Sequence, residues 1–213
     1  MMAMRLARPA LLIDINDVAE LQQIAAGAGY LAIGATVRQA RLERDPLIRD
    51  RVPLLVKALR WVGHVQTRNR GTPGGSLVNA DPSGEIPLVA CTLGAQLRLL
   101  AKDSADWVPA PEFFLAPMVA AIGPEQCLTE IRIPIWNDAR VGCSFQEVSV
   151  RRGDFALVSA CAQMALDEEG RCNRVAIGVG GAAPTPVALP DIADEIVGQR
   201  PDERVLAAAA RAA

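Results

Sequence analysis

A chain of 213 residues is long enough to bury one sizeable core or two smaller ones. Its 51% hydrophobic and 22% charged residues are the balance of a folded globular protein and exclude a disordered one. With 22 basic against 24 acidic side chains the formal charge is −2, so no strong positive field invites nucleic acid or an anionic membrane surface.

The start carries Arg5 and Arg8 ahead of an apolar run that ends at Asp14. That run is too short for the core of a secretion signal or for a membrane span, so a cytoplasmic protein is expected. Leu11 to Ile15, closed by Asn16 and Asp17, reads as a buried strand. A domain that opens on such a strand so near Met1 points to sequence missing upstream. Ala25 to Gly29 makes a turn, and Tyr30 to Gly34 a short strand. Thr36 with Gln39 has capping-box spacing and predicts a helix from Val37 to about Arg44. Asp45-Pro46 caps a second helix, and after Pro53 the residues Leu54, Leu55, Ala58, Leu59 and Val62 trace one face of a third.

From His64 to Glu85 the chain is polar, rich in Gly and Pro, and without a period of 2 or 3.6. A long loop is expected there, and ordered loops of this length usually carry function. Ile86 to Leu93 fits helix or strand. Gln96 to Leu100, Trp107-Val108 and Leu128 to Ile135 read as strands, the last alternating through Ile131, Ile133 and Ile135. Trp136-Asn137-Asp138 marks a boundary, with a second module from Val141. In it Asp154 is expected to cap a helix through Leu166, and Val175 to Val179 to form a strand. The tail after Asp191 is charged and then alanine-rich. Strands and helices mix without regular βαβ alternation, which predicts an α+β fold in two modules, 1–136 and 141–213.

The five cysteines, Cys91, Cys127, Cys143, Cys161 and Cys172, include no C-x-x-C pair, and the single histidine is His64. Buried, inert thiols are expected and no metal site, which leaves any iron–sulfur centre to another chain. Gly178-Val179-Gly180-Gly181-Ala182-Ala183 fits G-x-G-x-x-A after a strand. Pro184, Pro186 and Pro190 behind it block the helix that a dinucleotide fingerprint requires, so a plain turn is the reading. Arg70-Gly71-Thr72-Pro73-Gly74-Gly75-Ser76 is no P-loop. Either an ordinary Gly-Pro turn or an anion-binding nest fits it, the nest using the amides of Gly74, Gly75 and Ser76, the hydroxyls of Thr72 and Ser76, and charge from Arg68 and Arg70.

The longer stretch Arg68-Asn69-Arg70-Gly71-Thr72-Pro73-Gly74-Gly75-Ser76-Leu77, followed by Asn79-Ala80-Asp81-Pro82, is more specific. It resembles the second flavin loop of the medium FAD subunit of molybdenum hydroxylases, the xanthine dehydrogenase and carbon monoxide dehydrogenase family, whose core reads R-N-x-G-T-x-G-G-[NS]-L. Arg5 to Asp17, Ile33 to Thr36, Glu112 to Leu115, Leu128 to Pro134, Phe145 to Glu147, Arg151 to Ala156 and Val179 to Gly181 resemble further segments of that family in the same order.

The resemblance implies an FAD-binding domain of the vanillyl-alcohol-oxidase (PCMH) type over 1–136. A smaller α+β domain of the carbon monoxide dehydrogenase flavoprotein type follows over 141–213. It implies FAD as cofactor, with Thr72, Pro73, Gly74, Gly75 and Ser76 on the pyrophosphate and Glu85 accepting from the ribityl hydroxyls. Asn79 and Asp81 either bind or shape the loop, Leu128 offers a backbone contact to the isoalloxazine edge, and Val62 lies near the ring. Gln146, which stands where some relatives carry lysine, is implied as a further flavin-binding residue. His64 reads as a loop or packing residue, and no residue is expected to be catalytic, because the cofactor carries the chemistry. The resemblance also implies partners in a hetero-oligomer: a small subunit with [2Fe–2S] clusters, a large molybdopterin subunit that handles substrate, and an external electron acceptor. The family's earlier A-G-G-x-S loop has no counterpart and its C-terminal end is shortened here, so a truncated subunit is expected. The alternative is a flavin-free remnant that only packs against partner chains.

Overall fold

Tyr30 to Gly34 alternates fully buried Leu31 and Ile33 with less buried neighbours, and that period of two makes it a strand. The computed structural model describes Met4, Arg5 and residues 8–213, so the resemblance over Arg5 to Asp17 lies partly outside the described residues. β1 (Ile24–Ala26) and β2 (Tyr30–Gly34) form a hairpin. Short helices α1 (Gln39–Arg44), α2 (Pro46–Arg51), α3 (Pro53–Leu59), α4 (Val65–Arg70) and α5 (Pro73–Asn79) lead to α6 (Glu85–Thr92). Then come β3 (Gln96–Leu100), β4 (Ala105–Pro109), α7 (Ala110–Phe113), the hairpin β5 (Phe114–Ala116) and β6 (Val119–Ala120), and β7 (Cys127–Pro134). The main strands pair antiparallel in the order β1-β2-β7-β3-β4.

The remaining chain forms a second antiparallel sheet from β8 (Arg140–Ser149), β9 (Ala156–Leu166), β10 (Cys172–Gly180) and β11 (Val187–Ala188), ordered β11-β10-β9-β8. Helices α8 (Pro190–Ile196) and α9 (Glu203–Ala212) follow. One face of this sheet packs through Cys172, Met164 and Val175 on Ile196, Val205 and Ala209. The other carries Phe145, Cys161 and Ala165 into the same core as Leu31, Leu54, Leu59, Leu88 and Ile131. The helix at the junction is α6, buried all round from Ile86 to Thr92. It lies directly on β10 because Gly178 has no side chain: a Cβ there would stand 2.0 Å from Thr92 Oγ1 and 3.0 Å from Leu88 Cδ1. The G-x-G signal thus serves close helix–strand packing. No helix opens directly behind it, in agreement with the rejected dinucleotide fingerprint.

Four expectations are corrected. Leu11 to Ile15 is no buried strand: Leu11 and Ile13 are 73% and 76% exposed, and no strand pairs with them. Apolar composition alone does not make a strand; an edge to pair with does. Thr36 and Gln39 form no capping box, since α1 begins only at Gln39. The Thr36 hydroxyl instead donates to the Leu21 carbonyl, and the Gln39 amide donates to the Thr72 carbonyl. The stretch from His64 to Glu85 is largely helical, as α4 and α5, because Pro73 is tolerated at the first position of a helix and Thr72 caps it. Finally, Asp154 to Leu166 is no helix but leads into β9, where Ser159, Cys161, Gln163 and Ala165 are buried with a period of two.

The five cysteines are free; Cys91, Cys161 and Cys172 are buried, while Cys127 and Cys143 are half-buried. Burial pushes the Cys91 thiol up to about 12 and Cys161 to about 11, so both stay protonated and unreactive. Among the described residues no helix is long and apolar enough to cross a membrane. Because Leu88 packs into the core that both sheets share, Leu88→Ala should cost about 2–5 kcal/mol in urea unfolding followed by circular dichroism. Loss of cooperativity into two separated transitions in the unaltered chain would contradict a shared core.

Candidate functional site

Helix α5 is the centre of the site, and three local contacts set it in place. The Thr72 hydroxyl accepts from the Gly75 N–H at 3.0 Å, capping the helix. The Gly74 N–H donates to the Ala35 carbonyl at 3.0 Å, docking the helix start on the end of β2. A Cβ on Gly74 would stand 2.6 Å from Ala35 Cβ and 2.7 Å from its carbonyl oxygen, so only glycine allows this approach. The helix ends at Ala80, which takes a left-handed φ of 51°.

The amides of Gly74, Gly75 and Ser76 therefore form no open nest. They donate to the Ala35 carbonyl, the Thr72 hydroxyl and the Thr72 carbonyl respectively. What α5 presents instead is the hydroxyls of Thr72 and Ser76 and the bare backbone of Gly75. A Cβ on exposed Gly75 would meet only Thr72 Oγ1, at 3.0 Å, so that position is kept free by its lack of a side chain and not by packing.

Two cavities flank α5. One, of about 380 Å³, is lined by Thr72, Gly74, Gly75 and Val78 of the helix and by Thr36, Ile122 and Leu128 across from it. The other, of about 330 Å³, takes Ser76, Asn79, Asp81 and Glu85 from this segment with Val62, and is closed by the β8–β9 hairpin through Asp154, Phe155 and Ala156. Thr72, Gly74, Gly75 and Leu128 thus share one cavity, and Ser76, Asn79, Asp81 and Glu85 the other. Pro73, buried at the first turn, lines neither. Gln146 is not brought to them. It lies on the opposite face of β8 from Phe145 and Glu147, exposed and beside the α9 groove, because side chains alternate along a strand.

The charges differ from the sequence expectation as well. Arg68 is engaged within the protein, paired with Glu43 at 2.9 Å and donating to the carbonyls of Val62 and Gly63. Arg70 is exposed. His64 lies against the β8–β9 hairpin, where a Cβ on Gly153 would meet its ring at 2.6 Å, in keeping with a packing role. Asp81 accepts from the Ser83 N–H at 2.9 Å and so shapes the turn into α6. Burial pushes the Glu85 carboxyl from 4.5 up to about 7 against the pull of its own backbone N–H, and the charges of Glu147 and Asp81 add to the rise.

Sequence reading missed the hairpin residues Asp154, Phe155 and Ala156 as cavity walls. The signal was present as the two-residue period of Ser159, Cys161, Gln163 and Ala165, which identifies the strand they open. Among the described residues no group of three or more His, Cys, Asp or Glu could hold a metal ion.

Hydroxyls and a bare glycine backbone on one helix, with acids around its end, are the arrangement of an α+β protein built to hold a large polar ligand. Comparison with known proteins says which. The sequence pattern described as "FAD binding domain in molybdopterin dehydrogenase" matches residues 1–136, and that of the "CO dehydrogenase flavoprotein C-terminal domain" matches residues 143–213. The chain belongs to this family of molybdopterin dehydrogenase FAD-binding subunits. It is 35% identical over 209 residues to the 6-hydroxypseudooxynicotine dehydrogenase complex subunit alpha of Paenarthrobacter nicotinovorans, covering 98% of this chain and 70% of that one. It is also 35% identical over 196 residues to caffeine dehydrogenase subunit beta of Pseudomonas sp. (strain CBB1), covering 92% of this chain and 66% of that one. The solved carbon monoxide dehydrogenase from Hydrogenophaga pseudoflava that lacks the Mo-pyranopterin moiety superimposes with a TM-score of 0.93 at 30% identity, over 100% of this chain and 74% of that one. The fold is that of the carbon monoxide dehydrogenase medium chain.

Two expectations follow from the geometry. Gly74→Ala forces α5 away from the Ala35 backbone and should lower thermal stability by about 1–3 kcal/mol, whereas Gly75→Ala, exposed and meeting only the Thr72 hydroxyl at 3.0 Å, should change it less. Between pH 4.5 and about 7 the folded chain holds a proton on Glu85 that the unfolded chain has released. Its stabilising contribution is full below pH 4.5 and is lost as pH rises through 7. Glu85→Gln should therefore flatten the fall in melting temperature across that window, and an unchanged slope would refute the assignment.

Proposed function

We propose that this chain is an electron-transfer subunit of a hetero-oligomeric molybdenum hydroxylase, holding FAD between the partner's iron–sulfur clusters and an external acceptor. The partners in this reading are an iron–sulfur small subunit and a molybdopterin large subunit, on which substrate is oxidised. The single observation that carries it is α5 standing between two cavities, one beside hydroxyls and bare backbone, the other beside acids. A dinucleotide with phosphates, ribityl hydroxyls and a flat apolar ring needs that combination.

FAD, when bound, supplies the redox chemistry that no side chain here provides. The chain's own work is to bind and orient. In this reading the Thr72 and Ser76 hydroxyls donate to the pyrophosphate, and the exposed Gly75 backbone lets it approach closely. Asn79 adds an amide donor, Asp81 holds the turn, and Glu85 accepts from ribityl hydroxyls. Leu128 on β7 offers a backbone contact to the edge of the isoalloxazine ring, with Val78 and Ile122 lining the cavity beside it. In this reading Gln146, on the opposite face of β8 from Phe145 and Glu147, takes no part in the site.

The test is titration of FAD into the 213-residue chain, followed by quenching of flavin fluorescence. Saturable one-to-one binding is expected. Charge-assisted hydrogen bonds contribute about 1.5–3 kcal/mol each, so Thr72→Ala combined with Ser76→Ala should weaken it at least tenfold. A chain that takes up no flavin would overturn this reading in favour of a flavin-free subunit that only packs against its partners.

A further inference from the structure

The chain has a formal charge of −2, yet residues 38–70 hold nine basic against three acidic side chains. Part of that local excess converges on a cavity separate from the two beside α5. The cavity is about 260 Å³ and is lined by Ala40, Glu43 and Arg44 of α1, by Arg60 at the end of α3, and by Val65 and Arg68 of α4. None of these residues lines either of the cavities that flank α5.

The three guanidinium groups are placed differently. Arg68 is the fixed one. Its side chain is 11% exposed, paired with Glu43 at 2.9 Å and donating to the carbonyls of Val62 and Gly63 at 2.9 and 3.1 Å. Arg44 and Arg60 are exposed, and among the described residues neither forms an ion pair. Glu43 is the only acid in the lining, so the walls carry an excess of two positive charges. Like charges around one concave space repel each other, and an anion entering that space relieves the repulsion. Arg68 also fixes where the site lies. Val62 and Gly63, whose carbonyls it holds, line the second cavity beside α5, so the arginine cavity backs onto that one through a single turn of chain.

We propose that the Arg44–Arg60–Arg68 cavity is a phosphate-binding site, taking inorganic phosphate or the phosphate group of a small monoester. Charge and size select that class. A phosphate monoester carries about −1.5 to −2 at pH 7, which matches the excess of two, whereas one carboxylate from a protein partner would leave a cation uncompensated. The planar guanidinium fork also pairs bidentately with phosphate oxygens. The volume lies below the range of pockets that enclose a drug-sized ligand, so it admits one phosphate group and not a dinucleotide. Because its residues are others, this site stands or falls independently of the FAD reading.

The test is isothermal titration of sodium phosphate into the full 213-residue chain at constant ionic strength, unaltered and with Arg44→Gln and Arg60→Gln combined. Both positions are exposed and glutamine keeps their helix propensity, and circular dichroism checks the fold of the variant. Should the double variant not fold, Arg60→Gln alone carries the comparison. Expected is one saturable site in the unaltered chain, weakened about tenfold in the double variant, since each lost arginine removes a solvent-screened, charge-assisted contact. Adenosine monophosphate in place of phosphate distinguishes the two sources. Equal or weaker affinity assigns the site to the free anion, and tighter binding that the variant also loses assigns it to a nucleotide's phosphate. Absence of saturable phosphate binding, or equal affinity in the folded variant, overturns the proposal. So does loss of the phosphate site at saturating FAD, because phosphate would then have been occupying the cofactor's own site.

Discussion

The contact on which the site depends is the approach of Gly74 to Ala35. One N–H···O bond of 3.0 Å, with no room for a Cβ between the two backbones, holds the start of α5 on the end of β2. From that anchor the Thr72 cap points the helix, and the left-handed Ala80 ends it, its carbonyl accepting from the Met118 N–H at 2.9 Å. A helix of seven residues has little stability of its own. Its direction is therefore set by what grips its ends, and the two cavities exist because α5 stands between them as a fixed wall.

A second constraint ties the two sheets together. α6 is apolar on every side and has no face to offer water, so it must be covered both by the helices before it and by the second sheet. The glycines of β10 let it lie close enough to do so. That packing carries the β8–β9 hairpin to the second cavity, so a wall of the site comes from residues remote in sequence from α5. It also buries Glu147, Ser159 and Gln163 with polar atoms unpaired.

Much of the fold was legible because it follows from periodicity. The strands Tyr30–Gly34, Gln96–Leu100 and Cys127–Pro134 and the proline-led helix at Pro53 carry their patterns in the chain. Where reading failed, the cause was a partner the pattern does not name. Asp154 resembled a cap and the run behind it an apolar helix, yet β8 and β10 on either side made it a strand. Thr36 and Gln39 had capping-box spacing, but the carbonyls of Leu21 and Thr72 claimed their side chains. Gln146 was expected at the flavin, and strand alternation turned it away and Glu147 inward.

The ordered motif from Arg68 to Pro82 is enough to place the chain in its family, and it names the residue types of the proposed cofactor site: hydroxyls at Thr72 and Ser76, glycines between them and an acid at Glu85. These are local properties of side-chain chemistry and spacing. How their polar groups are spent follows from the packing around them. It spent the amides of Gly74, Gly75 and Ser76 and the guanidinium of Arg68 inside the protein, split the loop's residues between two cavities, and raised Glu85 by burial beside Glu147. Whether a polar group is free for a ligand depends on neighbours far along the chain, and spacing along the chain does not encode them.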